Sequence, residues 1–269
     1  MGAIGGADHC IVLVRDLAAA REGWERLGFR ATPRGLHSPE MGTANHTLML
    51  ADDYIELLGV VAETEQSARW AARLAAAGEG LVAVALRMFD AEAAAAELAA
   101  RGAAPGPVLR FGRAVALPGP GAVEARFDVV QLAEEVSPGF RLFFCRHRVP
   151  AATWPAGFAE HPNGAVAIEA YTVRAADPEG AAARLARIAG LVVTRHGGLP
   201  AVETGRARFL FAAASDGAEG IAGLSVRVRD IEAAAAALAA GGIEAERTAA
   251  TITVPPASAN GVALSFVRV

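Results

Sequence analysis

Cys10-Ile11-Val12-Leu13-Val14-Arg15-Asp16, running on through Leu27 to Gly28, is the stretch that decides the fold. Its apolar run, bounded by charge, reads as a strand. Asp16 suits a helix N-cap because its carboxylate accepts from an orphan amide of the first turn, and Gly28 permits the left-handed residue that ends a helix. The pattern then recurs three times. Residues 81–86 lead to Asp90 and Gly102, residues 170–173 to Asp177 and Gly190, and residues 224–228 to Asp230 and Gly241. Pro178, directly after Asp177, fits the first helical position. The intervening segments, such as 91–100 and 232–240, combine strong helix formers with core-facing Leu98 and Leu238. Strand candidates follow each helix: 43–50 and 54–60, 125–132 and 141–145, 206–211, then 249–254 and 262–269. Each unit reads as one strand, one helix and about three more strands, a βαβββ module. One helix per several strands predicts an α+β fold rather than alternating α/β.

Composition narrows the function. The chain has 269 residues, of which 53% are hydrophobic and 20% charged, so it has ample material for a packed core. A formal net charge of -4 supplies no global basic field, and nucleic acid is not an expected partner. No charge-free apolar run is long enough to cross a membrane, and residues 1–6 carry no recognisable export signal. Cys10 and Cys145 sit in strand-like runs without a CxxC pair, which fits buried thiols and a cytoplasmic location; a disulfide stays open. Loop signals at Pro105-Gly106-Pro107, Pro118-Gly119-Pro120-Gly121 and Trp154-Pro155 place the join between two halves near residues 149–163. GxSxG, P-loop and dinucleotide fingerprints are missing, so covalent serine hydrolysis is not supported.

The segments Asp8-His9-Cys10-Ile11-Val12-Leu13-Val14-Arg15-Asp16-Leu17, Leu27-Gly28-Phe29, Gly42-Thr43-Ala44-Asn45-His46 and Tyr54-Ile55-Glu56-Leu57-Leu58 together resemble the glyoxalase-like branch of the vicinal oxygen chelate superfamily. Phe143-Phe144-Cys145-Arg146-His147 and His161-Pro162-Asn163-Gly164-Ala165 look like further segments of that branch. The resemblance implies four βαβββ modules paired into two half-open barrels. The N-terminal domain would span 1–150, with modules at about 6–62 and 79–148. The C-terminal one would span 163–269, with modules at about 164–213 and 219–269. It also implies a divalent metal in a concavity that chelates neighbouring oxygens of a small substrate. Superfamily members differ widely in chemistry, so the reaction has to be argued from the site.

Strand alternation puts His9, Ile11 and Leu13 on one face of the first strand, and Tyr54, Glu56 and Leu58 on one face of the last strand of that module. The resemblance turns His9 and Glu56 toward a metal, and imidazole plus carboxylate suits Zn, Fe, Mn or Ni. The plainer reading, a satisfied core histidine and a solvated glutamate, remains beside it. A catalytic metal takes at least three protein ligands, yet residues 81–86 offer no His, Gln or Glu. His147, at period two from Phe143 and Cys145, is the expected third ligand; a surface loop position is the competing account. Asn45, Tyr54, Arg126 and His161 are the substrate-pocket candidates, although His161 also reads as part of a turn. His37 and His196 fall in Gly- or Pro-flanked loops and are expected in solvent, and His46 faces away from Asn45. Arg110, Arg113 and Arg126 are positioned to steer an anion or simply to be solvated. Ile168 stands where His9 has its counterpart, so the C-terminal half is expected to lack metal, which counts against a two-domain extradiol dioxygenase. The leading expectation is a metal-dependent isomerase or lyase in which the metal polarises an oxygen and Glu56 doubles as base. The competing one is a metal-free binding or resistance protein. Exposed sheet edges admit pairing into a homodimer.

Overall fold

The computed structural model describes residues 2–115, 123–133, 136–137, 139–215 and 217–268, so the turn expected at Pro118-Gly119-Pro120-Gly121 lies outside the described residues. The first half contains β1 (Ile4–Val14), α1 (Leu17–Arg26), β2 (Gly35–Leu36), β3 (Thr43–Met49), β4 (Tyr54–Val60), α2 (Glu65–Ala77), β5 (Gly80–Met88), α3 (Ala91–Ala100), β6 (Leu109–Val115), β7 (Val123–Gln131) and β8 (Arg141–His147). Its eight strands form one sheet in the order β2-β3-β4-β1-β5-β8-β7-β6. β1 runs parallel to β4 and antiparallel to β5, and β5 runs parallel to β8, so two βαβββ units join along β1 and β5. The edge strands β2 and β6 approach each other, which curls the sheet toward a barrel.

After α4 (Pro150–Thr153), the same plan returns in β9 (Ala165–Ala175), α5 (Pro178–Ala189), β10 (Val193–His196), β11 (Leu199–Glu203), β12 (Arg208–Ala213), β13 (Gly220–Val228), α6 (Ile231–Ala240), β14 (Glu246–Arg247), β15 (Thr251–Val254) and β16 (Ala263–Arg268). The order β10-β11-β12-β9-β13-β16-β15-β14 matches the first sheet position for position. The architecture is α+β, as the strand and helix pattern predicts.

Four aspartates cap the helices as their spacing requires: Asp16, Asp90, Asp177 and Asp230 each accept from an amide of the first turn. The closing glycines hold with one difference. Gly28, Gly102 and Gly190 are left-handed, but in the fourth unit the left-handed residue is Gly242. Gly241 is needed for space instead, since a Cβ there would lie 1.9 Å from the Arg26 carbonyl oxygen. α2 lies outside the repeating strand, Asp and Gly pattern and is not expected from it. Its capping box is present, with Thr64 Oγ1 accepting from Ser67 N and Ser67 Oγ accepting from Thr64 N, but Ser replaces the usual Glu or Gln.

One apolar core serves both halves. Cys10, Val12 and Val14 on the outer face of β1 pack with Trp24 and Leu27, and the same cluster continues through Tyr171 and Phe209. Cys10 and Cys145 are both buried free thiols. Hydrogen bonds fasten the halves: Trp24 Nε1 donates to Asn260 Oδ1 (3.0 Å), Asn163 Nδ2 to the Leu27 carbonyl (3.0 Å), and Ala51 N to the Val166 carbonyl (3.1 Å).

Asp53, in the turn between β3 and β4, belongs to this join, because its buried carboxyl group accepts from Ile168 N at 3.1 Å. Burial pushes its pKa up to about 7, against the opposing pull of the Ile168 amide. An unfolded Asp titrates near 3.9, so across the window from about 4 to 7 the native state binds a proton that the unfolded chain has released. This contribution to stability is complete below the unfolded value and is lost as pH rises through the folded one. Asp53→Asn is therefore expected to remove a loss of about 2–3 kcal/mol between pH 5 and pH 8. Urea midpoints of both proteins at the two pH values test this; parallel pH profiles would refute it.

Candidate active site

A β-bulge builds the centre of the first sheet. Along β1 and β5 the pair Ala7↔Leu86 is followed by His9↔Ala85, so Asp8 is an extra residue that the ladder leaves over. Simple alternation would send Asp8 and His9 to opposite faces; a bulge re-aims the side chain. Asp8 Oδ1 accepts from His9 Nδ1 at 2.7 Å and from His147 Nε2 at 2.7 Å, while Oδ2 accepts from Arg87 Nε at 2.8 Å. Asp8 is fully buried. Burial disfavours its charge, but the hydrogen bonds and positive potential from His147 and His9 outweigh that and hold the carboxyl well below the usual range.

An ionised carboxylate only accepts, so His9 donates from Nδ1 and its Nε2 is turned to the opposite side. There Nε2 lies 3.9 Å from Glu56 Oε2. The ring is clamped by Tyr54, stacked at 4.4 Å between centroids and 9° between planes, and Phe143 meets it edge-on. Glu56 is buried, and among the described residues its one hydrogen bond comes from Asn45 Nδ2, at 2.7 Å to Oε1. His37 Nε2 stands 3.8 Å from the same Oε1. Burial lowers the pKa of His37, against the pull of Glu56, which favours the neutral ring. Its Nδ1 pairs with Thr43 Oγ1 at 2.8 Å.

These groups line a cavity of about 250 Å³. His9 with Ile11, and Tyr54 with Glu56 and Leu58, all face it, in the alternation read from the two strands. Asn45 also lines it. Other expected residues lie elsewhere. His147 is not on the cavity wall: it donates to Asp8, pairs with Thr153 Oγ1 at 3.2 Å, and lies 4.0 Å from Cys145 Sγ. Arg126 is exposed and pairs with Glu124. His161 is a structural tie, accepting from Arg30 N through Nδ1 and donating from Nε2 to the Met49 carbonyl. His37, expected in solvent, turns inward just after β2, whereas His196 is exposed as expected. His46 binds the Thr32 carbonyl away from the cavity. Neither Asp8 nor His37 is singled out by the sequence: the bulge overrides alternation at the first, and β2 is too short to read at the second.

Two groupings offer metal donors. Asp8, His9, Cys145 and His147 converge, but Asp8 is already satisfied there by three donors. On the cavity side, His9 Nε2 stands 3.9 Å from Glu56 Oε2, a nitrogen and a carboxylate whose chemistry suits a divalent cation, while His37 Nε2, 3.8 Å from Oε1, accepts from Asn45 Nδ2 at 3.3 Å. At the positions equivalent to His9 and Glu56 the second module offers no donor. Counted from the caps Asp16 and Asp90, the counterpart of His9 is Ala83, and Phe143 opposite Ala85 is the counterpart of Glu56 opposite Ile11.

Fold and cavity together define a paired βαβββ protein of the vicinal oxygen chelate type. The family model for the glyoxalase-like domain matches residues 7–189, and the chain belongs to that family. Among curated proteins no sequence relative is found. Similar solved structures include a hypothetical protein from Staphylococcus aureus (TM-score 0.69, 11% identity, 98% of this chain and 99% of that one). A mutant of 4-hydroxymandelate synthase from Streptomyces coelicolor is also similar (TM-score 0.65, 12% identity, 100% and 93%). A third is a fusion of a xylose isomerase-like TIM barrel with 4-hydroxyphenylpyruvate dioxygenase (TM-score 0.65, 16% identity), of which 49% is covered by 99% of this chain. At these identities the likeness concerns the fold alone.

Asp8→Asn keeps the size of the side chain but places an amide where three donors converge. Breaking a buried charge pair on one side leaves the others unmatched, so a loss of about 2–4 kcal/mol in unfolding free energy is expected. Denaturant titration measures it, and a change under about 1 kcal/mol would show that Asp8 does not organise this centre.

Proposed function

We propose that the N-terminal cavity is the active site of a metal-dependent isomerase or lyase acting on a small oxygenated substrate. The carrying observation is that Asp8 occupies His9 Nδ1 and turns Nε2 toward the buried Glu56 carboxylate. A divalent ion of the Zn, Fe, Mn or Ni kind would be held by His9 and Glu56, with His37 beside Glu56 Oε1 and His147 behind His9 on Asp8. Such an ion supplies Lewis acidity toward a substrate carbonyl or hydroxyl. The protein's own groups do the rest. Asn45 holds Oε1 of Glu56 and leaves Oε2 on the His9 side, so Glu56 would alternate between holding the ion and, when released from it, taking or returning a proton of the substrate. Phe127, Phe143 and Leu58 wall the cavity with apolar surface that limits water around that transfer. Two buried free thiols and the absence of a membrane-length apolar helix among the described residues accord with a cytoplasmic enzyme.

A second reading, a metal-free binding protein, is favoured by Ala83 and Phe143, which close the donor set from the second module. Elemental analysis of untagged protein, as purified and after dialysis against each of the four ions, separates the two. About one ion per chain is expected, lost in His9→Ala and in Glu56→Gln. Protein that retains none of the four ions sinks the metal-dependent reading and leaves the binding protein.

A further inference from the structure

We propose that the cavity selects small carboxylates with an aromatic or other apolar body, and that Arg113 binds the carboxylate. This deepens the reading of the cavity as the active site, and its test does not need the metal. The cavity wall carries Arg69, Arg113 and Arg141 against one carboxylate, Glu56, so its formal charge is positive by two in a chain whose net charge is -4. That inversion is local, in a half-open cavity. A low-dielectric wall strengthens such a field and draws an anion inward.

Arg113 is the most telling of the three. It is half-buried on β6, and among the described residues it has no carboxylate partner. Its guanidinium sits over the Phe127 ring, 6.0 Å from the centroid. Room for it is made on the facing strand, since a Cβ at Gly35 would lie 2.6 Å from an Arg113 terminal nitrogen and 2.6 Å from Asn45 Oδ1. Arg113 therefore stands at the closure between β2 and β6, beside Asn45, which holds Glu56. Arg141 differs, because it is bound to the Gln131 amide and lies over Trp70. A guanidinium fork lacking an acid partner, at the rim of an aromatic wall, matches a planar carboxylate joined to a ring. The cavity volume, about 250 Å³, lies just below the usual range of about 300–1,000 Å³ for ligand pockets, which suits a single-ring acid.

The experiment is calorimetric titration of the full chain, as purified and after chelator treatment, with phenylacetate, phenylacetamide and acetate. Phenylacetate is expected to bind at least about tenfold tighter than either of the others. Arg113→Gln should erase the acid-over-amide preference while leaving phenylacetamide affinity within about twofold, and Arg113→Lys should retain part of the preference. Equal binding of acid and amide, a preference that survives Arg113→Gln, or no binding of either aromatic probe would overturn the proposal. His9→Ala separates it from the metal reading: protein that never holds metal yet prefers phenylacetate retains the anion site and loses only the catalytic role.

Discussion

A single buried carboxylate, Asp8, organises the centre of the first sheet. It accepts from His9, His147 and Arg87, and each donor comes from a different strand: β1, β8 and β5. An ion taken out of water is costly to leave unmatched, and three charge-assisted hydrogen bonds offset that cost only when all three donors keep their places. The arrangement therefore couples the seam between two βαβββ units to the orientation of one imidazole. If His9 were free to rotate, Nε2 would no longer face Glu56.

Much of this was legible in the residues, and the parts that were not have physical reasons. Helix caps at Asp16, Asp90, Asp177 and Asp230 are local chemistry, readable from spacing, and they sufficed for the module count and the α+β class. Period-two alternation carried His9, Ile11, Tyr54, Glu56 and Leu58 to one face because β1 and β4 pair regularly from His9↔Tyr54 onward. Alternation fails one residue earlier. The bulge at Asp8 depends on the register between β1 and β5, strands separated by most of a module, and no local pattern encodes it. The same holds for His37, which reaches Glu56 through the pairing of the two-residue strand β2 with β3. His147 shows what spacing alone leaves open: it places the residue on β8 with Phe143, and only the fold shows that its side chain meets Asp8 beside His9 and Cys145 instead of lining the cavity.

The two modules of the first half have divided their work. The first supplies the polar groups His9, His37, Asn45 and Glu56. The second lines the opposing wall with Phe127, Val129 and Phe143 and adds the arginines of β6 and β8. In a symmetric pair both modules would contribute donors to a central ion. Here Ala83 and Phe143 remove that contribution, so apolar surface meets the Glu56 side directly.

The second half shows what the same sheet does without a cavity of this kind. Glu169, on β9, is bound by Arg208 of β12 and by Arg227 of β13. This carboxylate is thus matched by two guanidinium groups of its own sheet. In the first half the corresponding balance is inverted: Glu56 has an amide and two imidazoles near it, while Arg113 has no acid among the described residues. Charges of both signs stand there unpaired by one another, on separate strands of a closing barrel. A fold that needed them only for stability would bring them together, as it does at Glu169. Holding them apart across an aromatic wall is what a site does when its ligand carries the complementary charges.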